Sequence, residues 1–225
     1  MHADASSSLS VSILHDGVFS SVVITEIKQA LNGVYEITPD SGSAFFLRKE
    51  YLSSQEDAVL LECGAVVEGE AEVSLMEASL VFSVEKAAMS YLARCEHCRA
   101  GLKLKLLKKK LPARCIDAAL DFLEAEGYLD DERFAGAWLR NRSIDHNEGR
   151  VRVVSELLSR GVSLACANKA ADEFFSENDE VQICRRALNK LLKTGREGDK
   201  ITASLLRSGF SMNVIKASRS EENYG

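Results

Sequence analysis

Leu158-Ser159-Arg160-Gly161-Val162-Ser163 reads as a break between two helices. Gly161 can take the left-handed conformation that ends a helix, and Ser163 can accept from the free N–H groups of the next one. The pattern returns as Leu206-Arg207-Ser208-Gly209-Phe210-Ser211, and earlier as Leu107-Lys108-Lys109-Lys110-Leu111-Pro112, where Pro112 suits a first turn. The copies are offset by 51 and 48 residues, which marks internal repeats. In each copy an apolar pair (Leu111/Ile116, Val162/Ala167, Phe210/Ile215) falls at the two ends of a hydrophobic staple, fixing how the chain enters the second helix. The spacing therefore predicts three sharply bent helix pairs.

Between the first two breaks, Ala113 to Glu126 places Ile116, Ala119, Leu120 and Leu123 on one stripe, and Gly127 ends that helix. Asp130 caps the next, with Asp131 and Glu132 at its positive N-terminal end and Leu129 positioned to staple onto Phe134. Phe134 and Trp138, four residues apart, share an inward face with Leu139 or Ile144, so they read as core and not as a platform for stacking bases. From residue 86 onward the chain reads as short helices with brief connections, and from Glu70 helical spacing already rules. Before residue 50 the pattern favours strands: Val18 to Ile27, a hairpin signal at Asn32-Gly33, and a second turn at Asp40-Ser41-Gly42 ahead of Ala44-Phe45-Phe46-Leu47. Ser54 to Cys63 fits strand or helix equally. The reading is a mainly α chain, with an acidic, β-rich domain at 1–85 and helical repeats at 86–142, 143–194 and 195–225, the last truncated.

The 225 residues carry a net charge of −6, unevenly spread. Residues 1–85 hold three basic and fourteen acidic side chains, whereas Arg94 to Arg114 holds eight basic residues against Glu96 alone. The longest stretch free of charged residues is eleven, Ala5 to His15, too short to span a bilayer, and the start lacks a secretory pattern, so a cytoplasmic protein without membrane contact is expected. Six cysteines then read as reduced thiols. Cys95-Glu96-His97-Cys98 has the look of a ligand pair, but no second knuckle completes a zinc site. No phosphate loop, dinucleotide fingerprint, His-Glu-x-x-His or Gly-x-Ser-x-Gly occurs, so no catalytic residue, cofactor, metal or small-molecule substrate is expected.

Tyr91-Leu92-Ala93-Arg94, Leu106-Leu107-Lys108-Lys109-Lys110 and, most specifically, Gly127-Tyr128-Leu129-Asp130-Asp131-Glu132-Arg133-Phe134-Ala135 resemble the RecX family, regulators of the bacterial recombinase RecA. Glu156 to Val162 and Leu205 to Phe210 are similar to that family's second and third repeats, and the likeness covers roughly residues 87–218. The resemblance implies tandem three-helix repeats in an elongated, curved array. It also implies binding to the RecA filament on DNA, with suppression of ATP turnover, strand exchange and co-protease function. Cys98 stands where the family more often has a hydroxyl residue.

Apart from that resemblance, the positive signal is a surface. On a helical wheel Leu102, Leu104, Leu106, Leu107 and Leu111 form an apolar arc, opposite Lys105, Lys108 and Lys109, while Lys103 and Lys110 lie within the arc and snorkel. With Arg99 and Arg114 these make a first basic face, and Arg140, Arg142, Arg150 and Arg152 make a second one repeat later. Repeated basic faces suit a long, regular, negatively charged partner. A second reading takes the bent helix pairs as helix-turn-helix DNA-binding modules, with direct DNA contact; Ser163 to Phe174 offers mainly Asn168 and Lys169 for base edges.

Overall fold

The computed structural model describes residues 21–30, 33–52, 62–195 and 198–220. Strands β1 (Val22–Gln29), β2 (Val34–Pro39), β3 (Phe45–Arg48) and β4 (Val66–Val67) are followed by nine α-helices among the described residues. These are α1 (Glu70–Leu92), α2 (Arg99–Lys108), α3 (Ala113–Ala125), α4 (Asp131–Asp145), α5 (Arg150–Ser159), α6 (Leu164–Glu177), α7 (Glu180–Leu192), α8 (Asp199–Arg207) and α9 (Met212–Ser220). The chain divides into two compact units after Ser79. That point, like the expected boundary after residue 85, falls inside α1.

In the first unit the sheet has the order β3-β2-β1-β4, every pair antiparallel. Ile24, Ile37, Leu47 and Val67 turn to one face and bury against Leu75 and Ala78 of α1. The register slips between Ile24 and Glu26, where Thr25 Oγ1 donates to the Thr38 carbonyl at 2.9 Å. Gly33 (φ +74°) and Gly42 (φ +97°) lie in the expected turns; Asn32, Val18 to Ser20 and Val59-Leu60-Leu61 are outside the described residues.

In the second unit the helix starts recur: Arg99, Arg150, Asp199 for one series and Ala113, Leu164, Met212 for another. Each break is built as its residues dictate. Gly161 and Gly209 have φ of +86° and +88°. Ser163 Oγ accepts from the Cys166 N–H and Ser211 Oγ from the Val214 N–H. Pro112 stands one residue ahead of α3, and its carbonyl accepts from the Ile116 N–H. Lys110, in the place of the glycines, is the one non-glycine residue with positive φ (+60°) among the described residues. Its N–H donates to Leu107 at 2.9 Å, as Gly161 does to Leu158 and Gly209 to Leu206. A left-handed side chain costs about 1–2 kcal/mol, partly offset by the freedom glycine loses on folding. Lys110→Gly should therefore stabilise by about 0.5–1 kcal/mol and raise Tm by about 2 °C; calorimetry showing an unchanged or lower Tm would contradict this.

The buried clusters group the helices differently from the 86–142, 143–194 and 195–225 division. One takes Ala135 and Leu139 from α4, Val153 and Leu157 from α5, Val162 from the break, and Ala167, Ala170 and Ala171 from α6. The next takes Ile183, Cys184, Ala187 and Leu188 from α7, Ile201 and Leu205 from α8, then Phe210 and Ile215. Thus α7 completes the core of the last helix pair. Periodicity marks the breaks but is silent on which flanking helix closes each core. Leu139 is the buried partner of Phe134 and Trp138, whereas Ile144 is 78% exposed.

Successive helix pairs are joined at equivalent places, each time a helix start against a glycine turn, by different bonds. The start of α2 docks on the second break, where Cys98 Sγ–H donates to the Arg160 carbonyl at 3.2 Å and Ala100 lies against Gly161. The start of α5 docks on the third, where the Gly149 and Val151 N–H groups donate to the Ser208 and Gly209 carbonyls at 2.8 and 3.2 Å. A carboxylate closes each contact: Asp131 accepts from the Arg99 N–H at 2.7 Å and Glu180 from the Arg150 N–H at 2.8 Å. These acids satisfy N–H groups that a helix start leaves unpaired.

Candidate partner-binding faces

The arc of leucines divides when placed on α2. Leu102 and Leu106 are fully buried, but Leu104 is 62% exposed and Leu107 faces out as well, because α2 buries a narrow seam against α3. Lys103 leaves the arc to pair with Asp117 at 2.6 Å, and Lys110 lies beyond the helix end. Arg99 is held by Asp121 (2.7 Å) and Glu124 (2.6 Å). Arg114 is exposed at the start of α3.

The second basic face is largely neutralised within the fold. Arg150 pairs with Asp172 at 2.8 Å. Around Trp138 a circuit closes: Arg142 and Arg160 stand over the ring at 5.2 and 4.7 Å, Arg142 pairs with Glu148 and Arg160 with Glu156, and Arg152 bonds Glu156 at 2.6 Å and approaches Glu148 at 3.8 Å. Hydrogen bonding from Arg160, reinforced by the charges of Arg152, Arg160 and Arg142, holds the Glu156 carboxyl below the usual range. Trp138 and Phe134 are partly buried against the middle cluster, as an apolar floor under these charges.

Within residues 86–142 the cations without a carboxylate partner among the described residues are Arg94, Lys105, Lys108, Lys109 and Lys110, with Arg140 apart on α4; others, such as Arg186, Lys190, Arg207 and Lys216, lie later in the chain. Arg94, Lys105 and Lys109 surround the Tyr91 ring at 5.3, 5.2 and 5.2 Å. His97 meets the ring edge-on at 6.0 Å, with Lys105 Nζ 3.3 Å from its Nε2. An ammonium can only donate, so Nε2 accepts and the imidazole is neutral. Burial first, then Lys105 and Arg94, keep His97 below the ordinary histidine pKa.

In the motif Gly127 to Ala135, Gly127 has φ +72°, Leu129 is buried and Tyr128 is 46% exposed. Asp130 accepts from the Glu132 and Arg133 N–H groups at 2.8 and 3.0 Å. Arg133 ties the motif together, donating to the Gly127 and Tyr128 carbonyls and pairing with Glu96. On α6 Lys169 pairs with Glu132, and the backbone carbonyl of Asn168 accepts from Arg150, a bond that does not involve the Asn168 side-chain amide. Cys98 is buried and caps α2, accepting from the Gly101 N–H, and burial raises its thiol pKa; Cys95 is exposed. No group of three or more His, Cys, Asp or Glu among the described residues is arranged to hold a metal, and no helix among them is long and apolar enough to cross a membrane.

Comparison with known proteins matches residues 130–170 to the family model described as "RecX, second three-helix domain". Regulatory protein RecX of Treponema pallidum (strain Nichols) is 36% identical over 144 residues, covering 64% of this chain and 88% of that protein. The chain belongs to the RecX family. Regulatory protein RecX of Pelodictyon phaeoclathratiforme (strain DSM 5477 / BU-1) is 33% identical over 136 residues, 58% of this chain and 82% of that one. A crystal structure of a regulatory protein RecX superposes with a TM-score of 0.70 at 17% identity, covering 88% of this chain and 99% of the other. RecX from Lactobacillus salivarius gives 0.58 at 20% identity, covering 65% and 98%. These two superpositions show that the fold is the one seen in RecX structures.

Proposed function

We propose that the chain binds the RecA recombinase filament on DNA in the cytoplasm and modulates, mostly by inhibition, its ATPase, strand-exchange and co-protease activities, without bond-making chemistry of its own. The observation that carries this reading is the repeat. Equivalent leucines stand exposed at all three breaks, Leu107 at 39%, Leu158 at 42% and Leu206 at 45%, with Lys108 and Lys109, Arg160 (itself paired with Glu156) or Arg207 beside them. An apolar contact and a cation recurring about every fifty residues suit a partner that also repeats. Of the basic residues, Lys105, Lys108, Lys109, Lys110 and Arg140 face the partner, whereas Arg99, Lys103, Arg142, Arg150 and Arg152 mainly shape the fold. The helical units are those of the buried cores, with α4–α6 and α7–α9 each one module.

Recombinase ATPase on single-stranded DNA should fall when substoichiometric protein is added. Changing Lys105, Lys108 and Lys109 together to Glu should raise the concentration needed by about tenfold or more, equivalent to about 1.4 kcal/mol of lost affinity. Unchanged inhibition by the folded triple variant would remove those lysines from the interface.

A further inference from the structure

Two successive copies differ in charge at two of three matching positions. The 51-residue step from Arg99 to Arg150 sets Lys109 on Arg160, Lys105 on Glu156 and His97 on Glu148. In the later copy the cations over Trp138 are matched by both glutamates. In the earlier copy Tyr91 takes the aromatic role beneath Arg94, Lys105 and Lys109, and both glutamate positions are filled by groups that bring no negative charge. His97 accepts from Lys105 but carries no charge to offset it. The carboxylate next to it in sequence, Glu96, is bonded to Arg133 at 2.6 Å. Three like charges around one ring repel, and what the copy lacks is two negative charges with several acceptor oxygens.

We infer that the collar of Arg94, Lys105 and Lys109 around Tyr91 is a binding site for a phosphate group. A phosphate supplies the missing charge on one small tetrahedral centre, and its oxygens can accept charge-assisted hydrogen bonds from a guanidinium and two ammonium groups together. The source is either the phosphodiester backbone of a nucleic-acid strand or the phosphates of a free nucleotide. The inference does not depend on recombinase binding, and the test contains none.

Thermal unfolding of the full chain would be followed with inorganic phosphate, ATP or oligothymidylate, each against chloride at the same ionic strength. A ligand that binds the folded state raises Tm with its concentration. Oligothymidylate acting at a lower phosphate concentration than ATP assigns the site to a strand, and the reverse assigns it to a nucleotide. The double variant His97→Glu/Lys105→Glu rebuilds the carboxylates of the later copy. It should have a higher Tm without ligand and need at least about tenfold more phosphate for the same response. Should it fail to fold, Arg94→Gln/Lys109→Gln should weaken the response in the same way. A wild-type Tm equal in phosphate and chloride, or variants that respond as the wild type does, would overturn the inference.

Discussion

Gly209→Ala should lower the unfolding free energy by about 3–4 kcal/mol and Tm by about 10 °C, measured by urea and thermal unfolding. Two costs coincide there. The backbone has φ +88°, which a side chain adopts at about 1–2 kcal/mol, and the new Cβ would lie 2.9 Å from Arg152 Cα and nearer still to the Arg152 N and Cβ. Those atoms belong to a helix start already bonded to Ser208 and Gly209, so relief requires the two helix pairs to move apart, and forced overpacking adds about 1–3 kcal/mol. Gly127→Ala is the control: φ is +72°, but nothing lies within 4 Å, so only the conformational part, about 1 kcal/mol, should appear. Equal losses at the two positions would show that the close approach at Gly209 contributes nothing.

The adjacent leucines at the second break should behave oppositely. Leu157 is fully buried among Leu139, Val153, Val162, Ala167 and Ala171, and four alanines in that cluster draw the helices close. Little can collapse into the space, so Leu157→Ala should cost about 3 kcal/mol, within the 2–5 kcal/mol range of such truncations. Leu158→Ala, at a position 42% exposed, should change stability by less than about 0.5 kcal/mol while weakening filament binding. Comparable urea midpoints for the two variants would mean that the inward and outward assignments at this break are reversed.

Much of the fold is legible in the sequence because its punctuation is chemical. Gly161, Gly209, Ser163, Ser211 and Asp130 each do locally what their side chains allow, and the stripe Ile116, Ala119, Leu120, Leu123 is buried as its spacing requires. The basic faces are legible only in part. A sequence shows that Arg99, Lys103, Arg142, Arg150 and Arg152 are cationic, but not that Asp117, Asp121, Glu148 and Asp172 meet them, since most of these contacts cross from one helix to another. Four-residue spacings, Trp138/Arg142, Glu148/Arg152, Arg152/Glu156 and Glu156/Arg160, are the local signals of the Trp138 circuit. Asp131 reads as a favourable charge on its own helix, and its bond to the Arg99 N–H has no local signature. A helical wheel turns Leu104 and Leu107 inward because it gives direction without saying how wide a seam the neighbouring helix covers.

The join at Gly161 and Gly209 also bears on how such a chain can change length. The middle segment brings both a plug, its leading helix tip, and a socket, its glycine turn with an acid close by. The two joins are keyed differently: a Cβ at Gly149 would collide with the Gly209 carbonyl, whereas the equivalent position of the earlier tip, Cys98, uses its side chain to reach Arg160, so excising the middle segment would set a tip against a turn that does not fit it. At the front, Lys110 sits where a socket would need glycine, which gives the series a definite first member.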